Sequence, residues 1–197
     1  MDFVLAIDVG FVHLGYCLYC KTSVEVPGAE GFKNEEKTII KLGILNINEC
    51  IKGYKFEPHT EENIKRIYVI NNWFNELQKI YNIKLIVVEK QVRYNIKCMI
   101  IASCLMTLAI NKNINFKSYD PKNKFKYENI KYDSAKKEHK KIAVRYATNI
   151  LLNTKTDMKE FNQFSKKDDI ADALCMALMS VENEDYIKKI IKTSVEA

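Results

Sequence analysis

Hydrophobic positions along this chain follow two rhythms, and the switches between them mark out the elements. FVLAIDV (Phe3 to Val9) is a short, almost unbroken apolar run ended by Gly10, the pattern of a strand covered on both faces. LGYCLYC (Leu14 to Cys20) follows after a tight connection and reads as its hairpin partner, and IIKLGILNI (Ile39 to Ile47) as a third strand. Between them, Ser23 to Thr38 collects Pro27, Gly28, Gly31 and many charges, which predicts a surface loop. From Thr60 to Tyr81 the period becomes helical: Ile64, Ile67, Tyr68, Phe74, Leu77 and Tyr81 share a side behind an acidic first turn. IKLIVVE (Ile83 to Glu89) is a buried strand. Asn95 to Lys112 is a helix apolar nearly all round, which belongs either deep in a core or against a second subunit. INFKSY (Ile114 to Tyr119) is a fifth strand stopped by Pro121. A helix from about Ser134 to Leu152, a polar linker, an apolar helix ending at Val181 and a tail helix from Glu184 to Ile191 complete the pass.

Three hairpin-linked strands followed by helix, strand, helix, strand and helices predict an α/β fold. Its mixed five-stranded sheet has the first three strands antiparallel and helices on both faces. The 197 residues suit a single domain, 1–197, with its own core. MDFVLAID has no basic region ahead of its apolar residues and so is not read as a signal peptide. The longest apolar run, Cys98 to Ile110, is shorter than the ~17 residues that cross a bilayer, and no membrane partner is expected. Six cysteines lie mostly in apolar segments. Cys17 and Cys20 form a lone CxxC whose strand context turns them to opposite faces, so reduced, buried thiols in a cytosolic compartment are expected.

Charge changes the picture through its location. Lys117 to Arg145 holds ten basic residues against four acids, a surplus equal to the net +6 of the whole chain. Tyr119, Phe125, Tyr127 and Tyr132 are interleaved with the lysines, as on a surface that grips phosphates and stacks on bases. Lys122, Lys124, Lys126, Lys136, Lys137 and Lys141 are its candidate DNA contacts; a solvated lysine-rich face is the plainer alternative.

The candidate chemistry lies in carboxylates set among apolar residues. In KKDDIADALCMALMSV (Lys166 to Val181), Asp172 sits inside an otherwise apolar helix, with Asp169 three and Asp168 four residues before it. Those spacings bring side chains onto neighbouring patches about 5–6 Å apart. Like charges that close, partly desolvated, need a pairing group or a cation. Helix capping accounts for Asp168 but not for Asp172. Asp8 and Glu89 each end a buried strand. Four carboxylates without a histidine cluster, His13, His59 and His139 being scattered, make a hard oxygen donor set suited to Mg²⁺ or Mn²⁺. Two such ions can activate water and stabilise the leaving oxygen of a phosphodiester. Metal-binding acids beside phosphate-binding lysines point to a nuclease.

AIDVG (Ala6 to Gly10), VVEKQVR (Val87 to Arg93) and KKDDIADAL (Lys166 to Leu174), in this element order, resemble the RuvC-like Holliday junction resolvases of the ribonuclease H superfamily, and among them the poxvirus type. The resemblance implies a ribonuclease H-like sheet and a homodimer that nicks opposing strands of a four-way DNA junction in the host-cell cytoplasm. It also implies Mg²⁺ held by Asp8, Glu89, Asp169 and Asp172, and Gln91 and Arg93 near the scissile strand. It implies a basic-segment lysine beside the acids too. Lys140 and Lys141 match a paired-basic position best, with Lys140 taken as the catalytic one and Lys124 as a second candidate.

Three other readings compete. AIDVGFVHLG also resembles the opening of actin-like ATPases and sugar kinases, but those need a second glycine-rich phosphate loop, and the chain has six glycines and no Gly-Gly pair. A broader ribonuclease H-like nuclease would use the same metal site. A non-catalytic DNA-binding scaffold would keep the lysines without needing Asp172.

Overall fold

The structure, a computed structural model, describes residues 1–25, 33–126 and 136–192. Five strands form one sheet: β1 (Asp2–Val9), β2 (His13–Glu25), β3 (Lys33–Asn46), β4 (Ile83–Glu89) and β5 (Asn115–Tyr119), in the order β3-β2-β1-β4-β5. β1, β2 and β3 are mutually antiparallel, while β4 runs parallel to β1 and β5 parallel to β4. This is the mixed sheet expected from the hydrophobic pattern. Seven α-helices accompany it among the described residues: α1 (Ile47–Lys52), α2 (Glu62–Ile80), α3 (Ile96–Asn111), α4 (Lys136–Asn153), α5 (Met158–Gln163), α6 (Lys167–Val181) and α7 (Glu184–Lys192).

Strand periodicity divides the core in two. Leu5, Ile7 and Val9 of β1 and Ile86 and Val88 of β4 face one side, where they pack with Ile70 and Phe74 of α2 and Ile101 and Leu105 of α3. Ala6 and Val87 face the other, under Tyr146 and Ile150 of α4, Leu174 and Leu178 of α6 and Ile187 of α7. Because side chains alternate along a strand, Asp8 shares the face of Ala6, and Glu89 that of Val87. Parallel pairing of β1 with β4 then brings both acids to the same end of the sheet, beneath α6. The carboxyl ends of parallel strands are where open α/β sheets bind ligands.

Four features differ from the sequence reading. The flanks of the expected loop are strand: Ser23 pairs with Glu35 and Lys21 with Lys37, and only residues 26–32 of that stretch lie outside the described set. Ile47 opens α1 instead of closing the third strand, because the Asn46 side chain accepts from the Glu49 N–H and caps a helix there. The linker after α4 contains α5, capped by Asp157. Helix α3 is not sunk in the core. It buries the single stripe Cys98, Ile101, Leu105 and Ala109, and leaves Ile96 and Ile110 about two-thirds exposed.

Candidate active site

Helix α6 crosses directly over the hairpin. From Ile170 to Leu178 every residue but Asp172 is buried, so the position of that acid is fixed by packing on both sides. The close approach depends on Gly15, the β2 partner of Asp8. A β-carbon at Gly15 would stand 2.4 Å from the Asp169 carbonyl oxygen, so only glycine lets the helix bring Asp169 down beside Asp8. An isolated glycine inside a strand is the sequence sign of such an approach.

The acids repel one another. Asp8 lies on the floor of the cleft, partly reachable by solvent yet densely surrounded. Burial raises its pKa well above the usual carboxylate value; the charges of Glu89 and Asp172 push further the same way, and Lys124 opposes them. Burial likewise raises Asp172, with Lys124 again opposing. Asp169 is raised by burial and by Asp168, against Lys166 and Lys140.

The compensating cation is Lys124. Its side chain is 4% exposed, and its Nζ lies 2.9 Å from Glu89 Oε1 and 2.8 Å from Asp172 Oδ1. Burial alone would lower its pKa, but the charges of Asp172 and Glu89 outweigh this and raise it. A 3₁₀ turn (Pro121–Phe125) aims it inward, started by Asp120, whose side chain accepts from the Lys122 N–H at 2.9 Å. The Asp-Pro pair at 120–121 is the one local signal that singles Lys124 out of the lysine run.

Lys140 lies elsewhere. It is exposed and hydrogen-bonded to Asp168. Burial opposes a low pKa at Asp168, but that hydrogen bond outweighs it, and the carboxyl falls below its usual range. Asp168 is not the helix cap: that position is Lys166, which makes no side-chain cap hydrogen bond. Gln91 Nε2 donates to the Glu89 carbonyl at 2.9 Å and braces the end of β4. Arg93 and Lys122 line a cavity of about 420 Å³ next to Glu89. Lys126 pairs with Glu184 at 2.6 Å, and Lys141 is exposed on α4. The side chains of Lys136 and Lys137 are outside the described residues.

Among the described residues no three His, Cys, Asp or Glu side chains are gathered closely enough to enclose an ion; the ammonium of Lys124 stands between two of the acids instead. The donor chemistry nonetheless fits a divalent ion. All the donors are carboxylate oxygens, and their mutual repulsion at Asp8 is what a bound cation relieves.

The family model of the poxvirus A22 protein matches residues 22–184. The chain belongs to that family. Comparison with curated proteins gives no match. Among solved structures, Thermus thermophilus RuvC is similar at TM-score 0.56 and 18% identity, over 89% of this chain and 90% of that one. The yeast mitochondrial Holliday junction resolvase Ydc2 is similar at TM-score 0.56 and 18% identity, over 88% of this chain and 76% of that one. The fowlpox virus resolvase, solved with substrate Holliday junction DNA, gives TM-score 0.51 and 16% identity over 90% and 97%. The A22 family member thus has the RuvC-like, ribonuclease H-like fold. None of its described helices is long and apolar enough to cross a membrane.

Proposed function

We propose that this A22 family member is a metal-dependent endonuclease that resolves four-way DNA junctions by paired symmetric nicks, acting as a homodimer in the host-cell cytoplasm. The observation that carries the reading is the convergence of Asp8, Glu89, Asp169 and Asp172 at one end of the sheet, under a helix whose middle, Asp172 apart, is buried. Similarity to a resolvase solved on a Holliday junction supports the choice of substrate. The four acids would hold Mg²⁺ or Mn²⁺, in one or two ions. When bound, such ions activate water and stabilise the departing oxygen of the phosphodiester.

The remaining steps belong to the chain. Lys124 neutralises Glu89 and Asp172 when no metal is bound, keeping acids that would otherwise repel in place. With DNA in the cleft, its ammonium has a phosphodiester oxygen as an alternative partner. Lys124 therefore takes the role expected of Lys140, which we place at the rim with Asp168. Arg93 and Lys122 bind the strand backbone, and Gln91 holds Glu89 in position. The apolar groove between α2 and α3 is where a second copy would dock.

A strand-cleavage assay with Mg²⁺ on a labelled four-way junction and on linear duplex of the same sequence tests the proposal. Paired nicks in opposing strands of the junction alone are expected. Asp172→Asn and Glu89→Gln should leave folding and junction binding intact and lower the rate by about three orders of magnitude or more. Near wild-type cutting by either variant overturns the metal site. Equal cutting of both DNAs makes the protein a general nuclease, and binding without cutting makes it a scaffold.

A further inference from the structure

The turn between β1 and β2 is held far more firmly than a hairpin connection requires. Arg66 of α2 is a buried guanidinium: Nη1 donates to the Phe11 carbonyl at 2.9 Å, Nη2 pairs with Glu62 at 2.8 Å, and Cζ stacks 3.9 Å from the centre of the Phe11 ring. The Gly10 N–H donates to the His13 carbonyl at 3.0 Å, and the Val12 carbonyl accepts from the Ile47 N–H at 2.8 Å. His13 leaves this turn on a fixed backbone, and its ring meets the residue that precedes α6, where Lys166 Nζ lies 3.1 Å from Nδ1. An ammonium has donors only. With Nδ1 accepting from Lys166, the ring proton belongs on Nε2, which is left as an N–H donor. Lys166 is close enough to Asp168 and Asp169 for its charge to act on both.

We propose that His13 and Lys166 form a phosphate grip on the Asp169 side of the cleft, taking the DNA backbone phosphate next to the one being cut. An N–H donor and an ammonium converging from two packed elements match the non-bridging oxygens of a phosphodiester. In the sheet, β2 flanks β1 on one side and β4 flanks it on the other. His13 thus lies on the opposite side of Asp8 from Arg93 and Lys122, which follow β4 and β5. A strand laid across the carboxylates is held on both sides of its reacting phosphate, which fixes the orientation that cleavage needs. Arg66 is a positioning residue in this scheme, acting through Phe11. The inference rests on the DNA-cleaving reading and adds to it a contact outside the lysine-rich segment.

Junction affinity measured against salt concentration, in a Glu89→Gln background that leaves the DNA uncut, tests it. Lys166→Ala should weaken binding roughly five- to ten-fold and make the log–log salt slope shallower by about 0.9, the value for one phosphate contact on duplex DNA. His13→Ala should weaken binding by a smaller factor, and His13→Gln, which keeps an N–H donor, should restore most of the loss. A methylphosphonate at the phosphate beside the cut should weaken binding by the parent protein but not by its Lys166→Ala derivative. Lys79→Ala, which removes an exposed cation paired with Glu76, should leave the slope unchanged. An unaltered slope and affinity in Lys166→Ala overturns the grip alone, provided the wild-type protein cuts DNA. If the wild type cuts none, the functional reading itself has failed.

Discussion

The two faces of the sheet are finished differently. Under α4, α6 and α7 the surface is closed, and the single polar residue within the buried stretch of α6 is Asp172. Under α2 and α3 it is left open: each helix buries one stripe, and a groove of about 830 Å³ runs between them, walled by Ile64, Tyr68, Ile96, Met99 and Cys104. Both faces are built from apolar sequence, so composition does not distinguish them. What differs is where the apolar surface ends up. In the closed face it limits the access of water to a carboxylate, which raises the cost of that charge, a cost met by pairing with Lys124. In the open face it stays in contact with water, at a cost that a second surface would remove.

The largest effect expected from disturbing this contrast is on the closed face. Gly15→Ala sets a β-carbon against the Asp169 carbonyl, a backbone atom that cannot swing aside as a side-chain tip can. Lifting α6 by a fraction of an ångström misplaces Asp169 and Asp172 together, and cleavage should fall about 100-fold in single-turnover measurements. A wild-type rate in Gly15→Ala would mean that the approach of α6 does not set the site. On the open face, Met99→Glu places a charge in the groove. It should weaken the proposed dimer about 100-fold by sedimentation, while the stability of the monomer, measured by denaturant, changes by less than ~1 kcal/mol. A wild-type protein that sediments as a monomer at micromolar concentration would remove the groove from the assembly altogether.

The same contrast explains what could be read from sequence. Nearly continuous apolar runs located β1 and β4 and showed Asp8 and Glu89 at their ends; that the two acids share a face follows from the parallel pairing of those strands. The arms of β2 and β3 look like loop in the sequence because Ser23, Glu25, Asn34, Glu35 and Glu36 carry no apolar rhythm; the ordering there comes from cross-strand pairing. Helices α1 and α5, six residues each, are too short for periodicity, and only the caps Asn46 and Asp157 announce them. The candidate acids were legible because a charge among buried residues is expensive and stands out. The lysine between them was not, since the residues of a lysine run look alike and only the Asp-Pro pair at 120–121 hints at which ammonium turns inward. Lys124 is chosen by the 3₁₀ turn that begins at Pro121, and Lys140 is turned away by its pairing with Asp168.

The smallest effect is the one that asks what the closed face was built for. Burial, with the charges of Glu89 and Asp172, holds the pKa of Asp8 above its unfolded value, near 3.9 for a free aspartate. Between those two values the folded protein binds the proton that the unfolded chain has released. Stability therefore falls as pH rises through that window, and the deficit persists at neutral pH. Asp8→Asn removes the charge and with it the deficit. In EDTA at pH 7, the variant should melt above the wild type by about 2–5 °C in scanning calorimetry, and the gain should shrink as the pH is lowered toward about 4 and be gone below it. Adding Mn²⁺ should then raise the melting temperature of the wild type far more than that of the variant, because an ion that binds only the folded state stabilises it by mass action. If Asp8→Asn melts below the wild type without metal, Asp8 is a stabilising contact and the closed face is a core that happens to contain acids. If it melts above, the chain keeps an acid at Asp8 that weakens its own fold, which makes sense only for a group that awaits a cation.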